Sequence, residues 1–245
     1  MNAEEYRIFL SAPELERFGC KTARAEMVAL ENIDHMMAFC SGNDIEFLIA
    51  RSPTADIKAA QEMEKRGFLL MDTLLYLSFF YGSTPLPSFA GEAVVRPARP
   101  DDLPDIQLIA RQSFSGYYGH YHADERLDDD KCSEAYSSWI TRSCRAELAD
   151  EVLVAEIDGT VMGFSSLKMA GPDSAEWTLG CVSPDAQGKG VFKSLTAGAI
   201  LWGAENNLKK LSASTLINTI PVLKTWQQMG FTQTHSFYTF HKWFA

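Results

Sequence analysis

The chain has 245 residues, enough for one large domain or two small ones, with a hydrophobic fraction of 46% and a charged fraction of 22%, the balance of a globular protein with a buried core. Its 22 basic and 32 acidic side chains leave a formal charge of −10, a field that repels nucleic acid and anionic lipid, so neither is an expected partner. No apolar run approaches a membrane span, and the acidic start Met1-Asn2-Ala3-Glu4-Glu5 lacks the basic-then-apolar order of a signal peptide. Five scattered cysteines (Cys20, Cys40, Cys132, Cys144, Cys181) form no CxxC pair and read as reduced thiols of a cytoplasmic protein, with no metal expected.

Residues 1–82 read as a first unit. Strand-like segments fall at 27–31 and 45–51, and a helix over 55–66 follows Pro53-Thr54. Gly67-Phe68 stops that helix, and 69–81 is an apolar strand. Pro85 and Pro87 mark residues 83–92 as a linker. The second unit, 93–245, opens with a strand at Val94-Val95-Arg96-Pro97. An aspartate cap with Pro104 just inside then predicts a helix whose apolar face carries Leu103, Ile106, Ile109, Ala110 and Phe114. An aromatic, histidine-rich connection (115–130) leads to a helix over 133–144. Asp158-Gly159 joins two strands as a tight hairpin. Beyond the next loop come a long helix, a strand at 211–216, a helix opened by Pro221, a Gly230-Phe231 stop and a last strand, 234–243. The order strand end, helix, Gly-Phe, strand thus occurs twice, at 51–78 and 215–241, an internal echo.

The segment from Val182 to Thr196 organises the second unit. A strand over 176–182 ends in a Pro184-Asp185 turn, followed by Gly188-Lys189-Gly190. A helix then starts, with Val191, Leu195, Ala199 and Trp202 on one face. The glycines allow a tight turn and a close backbone approach. The first-turn amides of the helix, at the positive end of its dipole, form an anion cradle suited to a pyrophosphate, with Lys189 and Lys193 beside it. A triphosphate P-loop is excluded because Gly190 stands where Ser or Thr is needed, and a dinucleotide fingerprint lacks its third glycine.

Gln187-x-x-Gly190 after Val-x-Pro resembles the acyl-CoA loop of the GNAT superfamily of N-acyltransferases. The element order from Val94 onward, the Asp158-Gly159 hairpin and "WQQMGF" extend the likeness over the second unit. The two-part chain and its ending, Tyr238-Thr239-Phe240-His241-Lys242-Trp243, look most like bacterial nucleotide-sugar acyltransferases of the dTDP-fucosamine acetyltransferase type. The resemblance implies an α/β fold, a mixed central sheet flanked by helices, with residues 1–82 as a degenerate GNAT-like half that completes the sheet or a homodimer. It implies acetyl-CoA as donor, with Cys181 and Val182 holding the pantetheine and acyl group through the backbone. Gln187, Gly188, Lys189, Gly190, Val191 and Phe192 would hold the pyrophosphate, and Asn218 and Trp226 would complete the CoA site. Three positions depart from the family pattern. Phe192 replaces a small residue, Trp226 stands where the family has an acidic tyrosine, and Asn218 is one residue out of register. Indole cannot protonate a thiolate. Tyr238 is the replacement acid candidate, and Glu176 or His120 the candidate base.

The cluster Tyr117-Tyr118-Gly119-His120-Tyr121-His122-Ala123-Asp124 can stack on a ring and bind hydroxyls. Tyr117, Tyr118, His120, Tyr121, His122 and His241 are therefore the candidate acceptor-binding residues. Asp128-Asp129-Asp130 reads as a helix start, and Cys181 as a packed residue, not a nucleophile. The expected activity is acetyl transfer to a primary amine of a small molecule by direct attack in a ternary complex, an amino-sugar nucleotide being the favoured acceptor. An amino acid, polyamine, antibiotic or protein amino terminus is the alternative acceptor. A CoA-binding sensor without catalysis is the alternative class.

Overall fold

The structure is a computed structural model in which residues 5–88, 93–114 and 117–244 are described. Residues 89–92 of the expected linker lie outside them, as do Ser115 and Gly116. The chain divides into two compact units, one holding the residues up to Leu75, Tyr118–Cys132 and the tail from His235, the other Tyr76–Tyr117 and Ser133–Thr234.

In the first unit β1 (Arg7–Leu10) is followed by α1 (Ala12–Phe18), β2 (Thr22–Glu26), α2 (Ile33–Gly42), β3 (Phe47–Pro53), α3 (Ile57–Lys65) and the opening of β4 (Leu69–Phe80). β1 runs antiparallel to β2 and β2 parallel to β3. The other edge of β3 is taken by the end of β10 (Thr232–Trp243), antiparallel, from Phe237↔Pro53 to Trp243↔Phe47. Val28, Ile33, Met36, Leu48, Met63 and Phe240 meet in its core.

The second unit contains the end of β4, β5 (Val94–Pro97), α4 (Leu103–Phe114), most of α5 (Asp129–Cys144), β6 (Glu151–Ile157), β7 (Thr160–Gly171), β8 (Ser174–Val182), α6 (Val191–Glu205), β9 (Lys210–Leu216), α7 (Ile220–Gln228) and the opening of β10. β5 to β8 form an antiparallel meander, and β8 pairs parallel with β9, as a strand–helix–strand crossover requires. Asp158 and Gly159 both take left-handed φ, 50° and 77°, the two-residue turn expected of Asp-Gly. Ile106, Ile109, Ala110 and Phe114 of α4 pack on Val154, Phe164 and Leu179.

The echo in the sequence is a structural repeat at a constant offset. β3, α3 and β4 have 7, 9 and 12 residues, and β9, α7 and β10 have 7, 9 and 12. Each starts 163 residues after its counterpart, since 210 − 47, 220 − 57 and 232 − 69 give the same difference. Gly67 and Gly230 obey the same offset and share left-handed φ, 78° and 95°. The parallel ladders match too. Thr22↔Phe47 to Ala25↔Ala50 in one unit corresponds to Ser174↔Lys210 to Trp177↔Ala213 in the other.

Several expectations are corrected. Residues 27–31 are not a strand; β2 ends at Glu26 and Met27, at φ 54°, turns the chain out of the sheet. β1, α1 and α2 were unforeseen. Asp102 does not cap α4. Its carboxylate accepts from the Arg99 amide at 2.6 Å and binds Arg96, closing a short turn ahead of the helix.

Candidate active site

The glycine-rich segment is a connection from β8 to α6. Ser183 bends the chain, Pro184–Ala186 make one 3-10 turn, and Gly188 and Gly190 sit at φ 78° and 76°. A left-handed φ costs a residue with a Cβ about 1–2 kcal/mol, so both positions call for glycine. Gly190 is the N-cap of α6, and no side chain caps this 15-residue helix. A Cβ at either glycine would meet nothing within 4 Å. The amides of the first turn thus carry no side-chain cap at the positive end of the helix dipole, the arrangement an anion needs.

Beside this loop the sheet opens. The β8–β9 ladder ends at Trp177↔Ala213, although β8 runs on to Val182 and β9 to Leu216. The facing backbone edges beyond that point form a wedge, and unpaired strand edges are the kind of surface that can accept an extended ligand. In the first unit the corresponding strands stay joined. The Val28 amide donates to Arg51 O at 2.9 Å, and Ser52 Oγ donates to Val28 O at 2.8 Å. The β2–α2 connection there is also filled by its own side chains. Asp56 Oδ2 accepts from the Leu30 amide at 3.1 Å and Asn32 Oδ1 from the Ala29 amide at 3.0 Å, so a carboxylate lies where an incoming anion would go.

At the apex of the wedge is an aromatic cluster. The Trp177 indole folds along its own strand and donates to Leu179 O at 3.1 Å, so close that a Cβ at Gly180 would lie 2.5 Å from the indole nitrogen. Phe192 and Trp226 lie against it, with centroids 5.5 Å and 5.7 Å from the Trp177 ring. Trp226 is 3% exposed and Phe231 stacks on its far side. The position that holds an acidic tyrosine in the family pattern is thus a packed hydrophobic corner. Asn218 is exposed in the turn before α7. Cys181 is half-buried and burial pushes its thiol up to about 12, so it carries no thiolate at neutral pH. Glu176, half-buried on β8, lies opposite Lys168 of β7 and Ser212 of β9 in the strand register.

The aromatic-histidine connection is divided. Tyr117 packs in the second unit against Phe114 and Tyr136, and Tyr118 is exposed. His120, Tyr121 and Asp124 are buried in the first unit. There His241 Nδ1 lies 2.7 Å from Asp124 Oδ2, and His241 Nε2 lies 2.9 Å from His120 Nδ1. Trp243 Nε1 donates to the same carboxylate oxygen, and the His120 amide donates to Asp72 Oδ2 at 3.0 Å. Burial pushes both imidazoles below their ordinary range, so both are neutral at pH 7. Burial pushes Asp124 up, but hydrogen bonds from His241 and Trp243 outweigh it and hold the carboxyl below its usual range. His122 is half-buried, and Tyr238 packs beside Phe240 against the core of the first unit. A second buried set adjoins Tyr121, whose hydroxyl binds Glu14; Arg24 pairs with Glu14 at 2.5 Å, and Ser11 also donates to it. The sequence reading had neither Asp124 nor the Glu14–Arg24 pair among its site residues.

The family model of the GNAT acetyltransferases matches residues 106–231, which include most of α4, the loop and α7. The chain belongs to the GNAT acetyltransferase family. It is an acyl-CoA-dependent N-acyltransferase, and its mixed sheet flanked by helices is the fold expected of one. Among curated proteins it is similar to the spore coat polysaccharide biosynthesis protein SpsD of Bacillus subtilis, 27% identical over 205 residues, covering 82% of this chain and 68% of that one. Among solved structures, a GCN5-related N-acetyltransferase from Sphaerobacter thermophilus matches with a TM-score of 0.67 at 10% identity, over 96% of this chain and 76% of that one. A tandem GNAT protein from the clavulanic acid biosynthesis pathway matches with a TM-score of 0.59 at 12% identity, over 92% and 76%. Among the described residues no helix is long and apolar enough to cross a membrane, and no group of His, Cys, Asp and Glu is arranged to hold a metal ion.

Proposed function

We propose that this GNAT enzyme transfers an acetyl group from acetyl-CoA to the primary amine of a small molecule, with an amino-sugar nucleotide as the favoured acceptor. The observation that carries the donor half is the uncapped first turn of α6 beside the wedge between β8 and β9. The pyrophosphate sits on the amides of Gly188, Gly190, Val191 and Phe192, Lys189 and Lys193 offset its charge, and the pantetheine lies along Leu179 to Val182. The acceptor half is supported by the similarity to SpsD, a protein of polysaccharide biosynthesis.

The amine attacks the thioester carbon, the C–N bond forms, and the C–S bond breaks as the thiolate leaves. The amine loses one proton and the thiolate takes one. An amine with a pKa near ~8 needs little assistance at neutral pH. Glu176, in the same unit as the loop, is the candidate proton acceptor. Trp226 supplies no acid, so the thiolate takes its proton from water, and the proton that Glu176 accepted returns to solvent. We also read the first unit as a GNAT-like half that has lost donor binding, because its strands stay joined at Val28 and Asp56 fills its connection.

The test is free-thiol release from acetyl-CoA against a panel of amino-sugar nucleotides, amino acids and polyamines, beside CoA binding by calorimetry. Turnover confined to a sugar nucleotide supports the full reading. CoA binding without turnover on any amine would replace it with a CoA sensor, the class favoured by the buried Trp226.

A further inference from the structure

Trp177 occupies the last ladder pair before β8 and β9 part, so the residue stands where a ligand inserted between those strands must end. Its counterpart in the repeat is Ala25, in strands that never part. The large ring is therefore not a requirement of the ladder. It belongs to the unit with the wedge. Three contacts fix it there. Its N–H is bound to Leu179 O, its ring touches Phe192 at the start of α6, and it touches Trp226 on α7. It is 4% exposed, and the absence of a side chain at Gly180 makes room for the indole nitrogen. Phe192, where the family pattern has Gly or Ala, thus buttresses the ring.

We propose that Trp177, braced by Phe192 and Trp226, is the floor of the acyl pocket and restricts the donor to acetyl-CoA. This rests on the reading that CoA lies on the α6 cradle with its pantetheine in the wedge. A thioester lying in the wedge directs its acyl chain at the apex, where a chain longer than acetyl would run into the braced indole. An aromatic ring held on three sides does not yield as a single methionine or leucine would. Trp177 is thus a specificity-determining residue and takes no part in proton transfer.

The experiment titrates the full chain with CoA, acetyl-CoA, butyryl-CoA and hexanoyl-CoA by calorimetry, so that no acceptor is needed. The wild-type protein should bind acetyl-CoA about as tightly as CoA, and hexanoyl-CoA about 100-fold or more weakly, because each obstructed methylene costs roughly tenfold or more. Trp177→Leu should gain about tenfold or more for hexanoyl-CoA at unchanged CoA affinity, which also certifies its fold. Trp177→Phe, a smaller ring, should admit butyryl-CoA before hexanoyl-CoA. Wild-type binding that is equal for all four ligands overturns the proposal without any variant, as does an unchanged chain-length profile in Trp177→Leu. Failure of the wild type to bind even CoA would overturn the donor reading, and this proposal with it.

Discussion

His241 Nδ1 lies 2.7 Å from Asp124 Oδ2, with both side chains buried in the first unit, and the pair joins β10 to a segment 117 residues earlier in the chain. Trp243, His120 and Asp72 complete the set, with Arg24 and Arg51 the nearest cations. Burial lowers both histidines from the ordinary 6.5. The unfolded chain therefore binds protons near that pH that the folded chain refuses, and stability falls as pH drops below about 6.5. Asp124 acts in the same sense, because a lowered carboxyl loses its contribution as pH falls through its folded value. Thermal melts from pH 8 to 5 should show Tm falling by about 4 °C or more, and His241→Gln should flatten that slope. A flat wild-type profile would refute the burial of these rings as neutral species.

Glu14 carries a separate acid limb. Burial pushes its carboxyl up, but the Arg24 guanidinium and hydrogen bonds from Arg24, Ser11 and Tyr121 prevail and hold it at about 2. The stabilisation is complete above about pH 4.5 and is lost as pH falls toward 2. Glu14→Leu, which strands a buried guanidinium, should cost about 3–5 kcal/mol in urea unfolding. Replacing Glu14 and Arg24 together by apolar residues should cost less than Glu14→Leu alone.

Gly190→Asp should abolish CoA binding, since it combines a strained φ with a negative charge at the cradle. Gly190→Ala separates the two effects. Its Cβ meets open space, so the variant should cost about 1–2 kcal/mol of stability through backbone strain and weaken CoA far less than Gly190→Asp does.

Calorimetry should give one CoA per chain. The corresponding connection in the first unit already satisfies the Ala29 and Leu30 amides with Asn32 and Asp56. A stoichiometry of two would show that the Asp56 carboxylate yields to a ligand. Asp56→Ala should lower stability by about 1 kcal/mol through loss of the α3 cap and leave the stoichiometry unchanged.

Glu176→Gln should lower kcat by about 10²-fold or more while leaving the affinity for CoA intact, as expected of a residue that exchanges a proton. An unchanged rate with a shifted KM would assign Glu176 to binding alone.

The second unit was largely legible because its signals are local. Asp158-Gly159 makes its turn with its own dihedrals, Gly188 and Gly190 mark the left-handed turns before α6, and Gly67 and Gly230 punctuate the repeat. Most of the first unit was not. α1 has only seven residues and buries Glu14 on the face a core would need apolar, a choice explained only by Arg24 and Tyr121. β2, Thr22–Glu26, alternates only two small apolar residues, Ala23 and Ala25, with polar ones, a weak strand signal that its pairing with β1 and β3 completes. The histidine-rich connection looked like a ligand loop because its partner on β10 is 121 residues away, a pairing that no local pattern records.

The tail from His235 belongs to the unit that the chain begins, and its strand fills the edge of β3 from Phe47 to Pro53. During synthesis, then, residues 5–75 emerge well before the strand that completes their sheet. Residues 5–75 wait, with the edge of β3 bare and Phe47 unstacked, until Trp243 emerges to lie 4.4 Å over that ring. For that interval the nascent chain exposes an apolar strand edge, the kind of surface that chaperones hold and that invites aggregation in their absence.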